Sequence, residues 1–271
     1  MGRIIITFCL LLITFCARTQ SDSSFHLKQE KFIPGSFKNF YTDNLGNIFL
    51  VLNNNSIKKI NTRGDSLAVF NDVRRYGDVY AMDVSNPLKI IVYYKDFSTV
   101  IVLDRFMNMV NSIDLRRANI LQATAAAQAY DNNYWVFDAL ENKLKKINDN
   151  GEILLETADF RILFDESFTP SAIIDDNTQL YLYDVNSGWM IFDYYGAFKI
   201  KIPARNFRDV QVPDKMMLGF DKDSMYEINP LTFSTKALPL QQASGAVKTE
   251  KELNILYALK KDGIYIYSIQ Q

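Results

Sequence analysis

Residues 131–154 read DNNYWVFDALENKLKKINDNGEIL, and residues 43–67 read DNLGNIFLVLNNNSIKKINTRGDSL. Both stretches begin with Asp-Asn, run through a short aromatic and aliphatic segment, and close with Lys-Lys-Ile-Asn shortly before a glycine. Short β-branched and aromatic runs between Asn, Asp and Gly turns are typical of antiparallel strands. The repetition therefore indicates a fold assembled from equivalent units of strands and turns.

The end of this unit recurs along the chain. An apolar residue followed by Asn, Asp or Ser returns at intervals of 36–45 residues, and a second apolar strand precedes each occurrence. A period of about 40 residues with several strands per unit predicts a β-propeller. Six occurrences predict six blades, and they are Ile60-Asn61, Leu103-Asp104, Ile147-Asn148, Phe192-Asp193, Ile228-Asn229 and Tyr267-Ser268.

We predict an all-β fold, a six-bladed β-propeller of four-stranded antiparallel blades, as a single domain over residues 20–271. The last unit holds only three strands, whereas the segment FHLKQEKFI (25–33) precedes the first unit. We expect this segment to close the ring as the outer strand of the last blade, because that pairing protects exposed edges. The predicted blades cover about residues 37–71, 76–115, 121–157, 168–203, 206–240 and 243–271.

Two segments fit the repeat less simply. LQATAAAQAY (121–130) has helical propensity. We place it as the first strand of the third blade, because small side chains fit the crowded propeller axis. DFRILFDESF (159–168) is interpreted as an extended connection or a small insertion.

The units resemble the repeats of six-bladed propellers of the NHL and TolB-like type. Residues 43–64 carry the pattern of that family in full: an Asp, a Gly-Asn, a strand, an Asn-rich turn, and an Ile/Lys strand that leads to Gly. The resemblance spans about residues 25–271. It implies the architecture and no particular activity, because the motif residues build blades.

The N-terminal residues have the layout of a secretory signal peptide. Arg3 precedes an apolar stretch from Ile4 to Phe15, and small residues follow around Thr19. This stretch is too short for the ~20 residues of a membrane-spanning helix. We expect cleavage before Gln20 and a location in the periplasm, at the outer membrane or outside the cell. The alternative is a lipid anchor at Cys16, which the bulky residue before it disfavours.

Composition narrows the possible functions. The net charge is −1, and it becomes −3 when Arg3 and Arg18 leave with residues 1–19, so nucleic acid is not an expected partner. Both cysteines, Cys9 and Cys16, lie in the leader, which leaves no thiol for a disulfide, a nucleophile or a metal site. With 48% apolar and 13% aromatic residues the chain can fill a large core.

Residues with catalytic potential are few. His26, the only histidine, falls on the expected closing strand, so no histidine triad or multi-histidine metal site can form. No catalytic residue, cofactor or metal ligand is assigned. Carboxylates at the first turn of several blades could ring one face and hold Ca²⁺, or could stabilise their own turns. These are Asp43, Asp131, Asp176 and Asp214.

Two further groups repeat or stand out. The Lys-Lys pairs 58–59 and 145–146 occupy equivalent blade positions, and we interpret them as solvated lysines. Aromatic residues beside turns are candidates for partner binding, since such residues are favoured in interface hot spots. The alternative for each of them is packing between blades. The candidates are Trp189, Tyr194, Tyr195, Tyr93, Tyr94 and Phe97.

These features predict an exported, non-enzymatic propeller that binds another envelope protein or complex. In that role it serves as an interaction module or accessory subunit of a periplasmic or outer-membrane assembly. Two alternatives remain at this point: a propeller hydrolase or lyase with a central Ca²⁺, and a glycan-binding propeller.

Overall fold

The computed structural model describes residues 25–176 and 178–270. Its strands form six antiparallel sheets of four strands each. The first strands of neighbouring sheets contact one another, so the sheets are blades around a common axis. The predicted all-β, six-bladed propeller is thus confirmed.

Blades 1 to 3 comprise twelve strands. Blade 1 contains β2 (Phe37–Thr42), β3 (Ile48–Leu52), β4 (Ile57–Ile60) and β5 (Ser66–Phe70); blade 2 contains β6 (Ala81–Asp83), β7 (Lys89–Tyr94), β8 (Thr99–Asp104) and β9 (Met109–Asp114); blade 3 contains β10 (Ala123–Gln128), β11 (Tyr134–Asp138), β12 (Lys143–Ile147) and β13 (Ile153–Glu156).

Blades 4 to 6 contain the remaining strands, including the first strand of the chain. Blade 4 contains β14 (Ala172–Asp175), β15 (Gln179–Asp184), β16 (Gly188–Asp193) and β17 (Phe198–Ile202); blade 5 contains β18 (Asp209–Gln211), β19 (Met217–Phe220), β20 (Ser224–Ile228) and β21 (Thr235–Pro239); blade 6 contains β22 (Lys248–Glu252), β23 (Ile255–Lys260), β24 (Gly263–Gln270) and β1 (His26–Pro34).

The four strands of a blade are named A to D from the axis outward. Because neighbouring strands are antiparallel, the A–B and C–D turns of every blade open on one side of the ring, which we call the AB face. The B–C turns and the connections between blades open on the other side, the BC face. This division decides which loops can act together.

Each blade interface has its own apolar core. Strands B and C are covered on both sides, so consecutive residues of one strand face opposite neighbours. In β7, Ile90 and Val92 pack towards blade 1, whereas Ile91 and Tyr93 pack towards blade 3. This double coverage explains why the B and C strands read as continuous apolar runs rather than as an alternation.

The N-terminal strand closes the ring as predicted. β1 pairs antiparallel with β24 from His26 opposite Gln270 to Pro34 opposite Gly263, with a register shift between Gln29 and Lys31. The pairing joins the two ends of the described chain in blade 6 and covers the outer edge of β24.

The two irregular segments are also placed. The alanine-rich strand β10 is the A strand of blade 3, as predicted, and pairs with β11. Residues 159–168 form a small insertion rather than an extended connection, with a helix α2 (Phe160–Phe164) capped by Asp159. Phe160 is fully buried and stacks on Phe192 of blade 4 with ring centroids 5.4 Å apart. The remaining helical turns are α1 (Val73–Tyr76), Pro213–Lys215 and Gln241–Ala243.

The predicted signal peptide and the alternative anchor at Cys16 lie outside the described residues. Within residues 25–176 and 178–270, no helix has the length and apolar character needed to cross a membrane.

Candidate functional site

Turns on the AB face share one construction. The side-chain oxygen of an Asp or Asn accepts a hydrogen bond from the backbone N–H two residues later, which fixes a tight turn. Asp43 accepts from Leu45 at 3.0 Å, and Asp104 accepts from Phe106 at 2.8 Å. The residue that donates lies at the tip of the turn and points away from the blade.

Many of these tips carry a large apolar or aromatic side chain. Leu231, bonded to Asn229, is 86% exposed. Together with residues of neighbouring turns, such tips occur on all six blades: Leu45, Leu88, Phe106, Tyr130, Tyr195, Leu231, Phe233 and Leu253.

The turn itself does not require an apolar tip. Asn61 accepts from Arg63, and Asn148 accepts from Asn150, each at 2.9 Å, in the same arrangement with polar residues at the tip. An exposed leucine or phenylalanine side chain gains no free energy from its contact with water. The turn therefore does not account for the apolar character of these tips, and exposed apolar side chains that lie together mark interaction sites.

A tyrosine cluster lies on the same face. Tyr130, in the A–B turn of blade 3, contacts Tyr194 in the C–D turn of blade 4 edge to face, with ring centroids 5.6 Å apart. The rings of Tyr194 and Tyr195 are tilted by 37° with their centroids 3.9 Å apart, and their hydroxyl groups are hydrogen-bonded. That bond raises the pKa of Tyr194 to about 12, so its hydroxyl group is uncharged near neutral pH. Tyr195 remains 66% exposed.

The predicted partner-binding residues divide into two groups. Tyr93, Tyr94 and Trp189 are at most 1% exposed. Tyr93 donates a hydrogen bond to the Ala123 carbonyl in blade 3, at 2.8 Å. For these three residues the prediction of a binding surface is wrong, because strands B and C are covered on both sides and their aromatic residues pack between blades.

The other predicted residues are accessible but lie apart. Tyr194 and Tyr195 belong to the AB face. Phe97 is 49% exposed in the B–C turn of blade 2, which opens on the BC face. One partner surface cannot include all three residues, because they lie on opposite faces. Their role in partner binding stays a prediction, and Tyr194 and Tyr195 are the better candidates.

A channel of about 600 Å³ runs along the axis. On the side of blades 2 to 4, Ala81, Ala125, Ala126 and Ala172 leave space, and Asp83 and Asp175 are the charged residues of that wall. The opposite wall, from blades 5, 6 and 1, carries more charged residues. Pockets with this mixture are the usual place for small ligands, so the bonding of the charged groups decides what the channel can do.

The charged groups of the channel join neighbouring blades. Glu250 of blade 6 accepts from the backbone N–H and the hydroxyl of Thr42 in blade 1, at 2.8 and 2.9 Å. Lys248 lies 3.0 Å from Glu250 and 3.5 Å above the Tyr41 ring. Burial opposes the charge of Lys248, yet Glu250 and the nearby Tyr41 keep its pKa above the ordinary value. The lysine stays protonated and is not poised as a base.

The same construction recurs around the axis. Asp209 of blade 5 accepts from the backbone N–H of Thr249 in blade 6 at 3.0 Å. Asp83 of blade 2 accepts from the N–H of Gln128 in blade 3 at 2.8 Å. These carboxylates are held by the scaffold, which explains their position without a reaction.

Glu252, at the AB mouth of the channel, differs from the other acids. Burial raises the pKa of Glu252, Lys251 opposes the shift, and the charges of Asp43 and Glu250 add to it. Among the described residues, no cluster of three or more His, Cys, Asp or Glu side chains could hold a metal ion. Among the described residues, Asp43, Asp131, Asp176 and Asp214 thus do not bring three carboxylates into one such cluster.

The interpretation of the lysine pairs as solvated is wrong for three of the four residues. Lys145 is 1% exposed and forms ion pairs with Asp138 at 3.3 Å and Glu141 at 2.7 Å. Lys146 is 7% exposed and pairs with Asp131 at 2.6 Å. Lys59 is 5% exposed and donates to a carbonyl of blade 2. Both faces of a C strand are interior, so alternation does not bring either lysine to water.

Sequence reasoning missed the apolar tips and Tyr130. For five tips the signal was an Asp or Asn followed two residues later by Leu, Phe or Tyr, as in Asp43-Asn44-Leu45 and Asn229-Pro230-Leu231, whereas Tyr130 has no such signal. In this pattern the Asp or Asn fixes the turn, and the residue two positions later is the one exposed at its tip.

No protein-family model matches the sequence, and a comparison with curated proteins also gives no match. Solved structures are similar in fold. A virginiamycin B lyase from Staphylococcus aureus, in a catalytically inactive His-to-Ala form with quinupristin, is 12% identical, with a TM-score of 0.63 over 90% of this chain and 99% of that one. The Neurospora crassa Pan2 WD40 domain is 12% identical, with a TM-score of 0.62 over 89% and 81%. A mitotic checkpoint complex structure gives 8% identity and a TM-score of 0.61 over 100% of both chains. At such identities the likeness shows the fold alone, which is that of a β-propeller.

Proposed function

We propose that this chain is an exported, non-enzymatic propeller that serves as a protein-interaction module or accessory subunit of a cell-envelope assembly, in the periplasm or at the outer membrane. One observation carries the proposal: every blade displays an exposed apolar or aromatic side chain in a turn of the AB face, and Tyr130, Tyr194 and Tyr195 of neighbouring turns form a cluster there. Loops held by a rigid scaffold are where binding residues concentrate.

The bonding inside the channel supports a non-enzymatic role. The carboxylates of Glu250, Asp209 and Asp83 hold neighbouring blades together. The similar lyase is inactive when one of its histidines is replaced by alanine. The single histidine of this chain, His26, is exposed on the outer strand β1, far from the axis. A histidine-dependent reaction in the channel therefore has no residue to perform it.

The similar folds support recognition as one use of this architecture. Propellers serve unrelated functions, so the fold does not choose between enzyme and binding protein. A propeller is nonetheless present in the mitotic checkpoint complex, a protein assembly. The proposed place in the cell envelope comes from the leader pattern of residues 1–19.

The proposal is tested by affinity purification of the tagged protein from gently solubilised envelopes, followed by identification of the proteins that remain bound. Tyr194→Ala combined with Tyr195→Ala removes the exposed part of the tyrosine cluster. Loss of hot-spot aromatic residues weakens binding roughly thirtyfold, so partner recovery is expected to fall sharply while the melting temperature changes little.

A matched control keeps the AB face intact. Leu121→Ala combined with Leu140→Ala removes exposed side chains of comparable exposure, 58% and 51%, from the BC face. This variant is expected to recover the same partners as the native protein. Equal recovery by both variants would move the interface away from the tyrosine cluster, and absence of any specific partner would contradict the interaction module.

A further inference from the structure

The AB face carries an excess of negative charge around the channel mouth. Every blade places at least one carboxylate at the end of its A strand or in the A–B turn: Asp43, Asp83, Asp131, Asp175, Asp176, Asp214 and Glu252. The lysines of the same region are Lys89, Lys146, Lys215 and Lys251. Asp43 is buried in its own turn and Asp131 is paired with Lys146, and the remaining five acids still outnumber the remaining three lysines. A concave mouth concentrates their field.

The spacing of these carboxylates indicates the shape of a cationic occupant. Within the described part of the chain, no three of them form a cluster that could hold one metal ion. A segment of chain with several positive side chains matches a dispersed set of acids, because an extended strand advances about 3.3 Å per residue and presents one side chain after another.

The apolar tips surround the same mouth. Leu45, Leu88, Tyr130 and Leu253 lie in the A–B turns of blades 1, 2, 3 and 6. Aromatic rings of this region already contact ammonium groups, since Lys146 lies 5.2 Å from the centroid of the Tyr130 ring. Apolar side chains and positive charges can therefore be bound side by side.

We infer that the AB face docks a basic segment of a protein partner, with arginine or lysine over the acidic mouth and apolar side chains between the exposed tips. This inference rests on the proposed function and specifies the chemistry of the partner. The excess of acids favours a protein segment over an anionic lipid surface, which would be repelled. Charge complementarity and the apolar tips together indicate this partner chemistry.

The inference is tested with a fluorescent ten-residue peptide of alternating lysine and leucine, titrated with the mature protein at low and moderate salt. Asp214→Asn combined with Glu252→Gln removes two charges from the mouth without changing side-chain size. Neither side chain has a hydrogen bond or ion pair within the described part of the chain. We expect about fivefold weaker binding for each charge that lies within ~4 Å of a peptide cation, and weaker binding at higher salt.

The control is Asp96→Asn combined with Asp165→Asn on the BC face. Asp165 shares with Asp214 a left-handed backbone, with φ of 55° and 48°, so the two variants impose the same local change. The control is expected to bind the peptide like the native protein.

The inference would be overturned by no binding of the lysine peptide, by equal binding of a peptide with glutamate in place of lysine, or by equal loss in the control. Binding to anionic vesicles in a flotation assay without peptide binding would replace the protein segment by a lipid surface. Partner recovery that depends on Tyr194 and Tyr195 but not on the mouth charges would refute the basic segment and leave the interaction module in place.

Discussion

The carboxylate of Glu250 is bonded twice to Thr42, through the backbone N–H at 2.8 Å and the hydroxyl at 2.9 Å, across the junction where the last blade meets the first. The two residues are 208 positions apart in sequence. The same carboxylate neutralises Lys248 at 3.0 Å. Ring closure is thus stabilised at the axis by this cluster and at the periphery by the pairing of β1 with β24.

Glu250→Ala is expected to destabilise the protein by about 3 kcal/mol or more, because it leaves a largely buried ammonium without its counter-charge. Only 14% of the Lys248 side chain and 11% of the Glu250 side chain are exposed. Denaturant unfolding measures the change in the free energy of unfolding. Arg63→Ala, which breaks the exposed pair with Asp65, is the control and is expected to leave that free energy unchanged. Equal effects of the two substitutions would mean that Glu250 is not a junction residue.

Gly263→Ala tests closure at the periphery. A Cβ at this position would lie 2.1 Å from the Ile33 carbonyl oxygen of the paired strand, so β1 would have to move. Gly245→Ala is a suitable comparison, because Gly245 has φ of +77° but nothing within 4 Å of the added atom. Gly245→Ala is expected to lower the free energy of unfolding by about 1–2 kcal/mol through backbone strain alone. Gly263→Ala is expected to lower it clearly more, as measured by thermal unfolding. A smaller loss at Gly263 would show that the terminal pairing is loose.

The architecture was accessible from sequence because the strand and turn signals are local and repeat six times. The leftover segment before blade 1 and the missing strand of blade 6 also determined the closure. The binding surface was harder to predict from the sequence, because each inner strand of a propeller is covered on both sides. From the sequence, Tyr93 and Trp189 are residues beside turns. In the structure, side chains of adjacent blades bury both of them.

The burial of the charged residues was equally hard to predict from the sequence. Alternation sends the two lysines of a pair to opposite faces of the strand, and the sequence predicts that both are solvated, whereas Lys145 forms buried ion pairs with Asp138 and Glu141. No local pattern reports which blade lies beside a C strand. The positions of turns were predictable, but the side chains that a turn displays could be recognised only once the two faces of the ring were known.

Glu252→Gln is expected to raise stability at neutral pH. The folded-state pKa of this carboxyl lies above its ordinary value of 4.5, mainly because of burial, so the folded state binds the proton more tightly than the unfolded state does. An acid with a raised pKa weakens the folded state when it is ionised, and this penalty fades as the pH falls through the folded-state pKa. The glutamine variant is expected to melt at a higher temperature at pH 7 and at nearly the native temperature at pH 4. A variant that melts lower at pH 7 would contradict the burial argument.

The last prediction concerns the N-terminus. Intact mass spectrometry of the protein purified from its native cells is expected to give a chain that starts near Gln20 without fatty acyl groups. A diacylglycerol group on Cys16 would contradict this processing and would also orient the molecule. As the D strand of blade 6, β1 begins on the AB face, opposite Gln270. The residues between Cys16 and His26 span at most ~35 Å when extended. An anchored form would therefore hold the AB face close to the membrane, and any partner of that face would have to lie at the membrane surface. The mass of the mature chain thus decides whether the apolar tips meet their partner in solution or beside a bilayer.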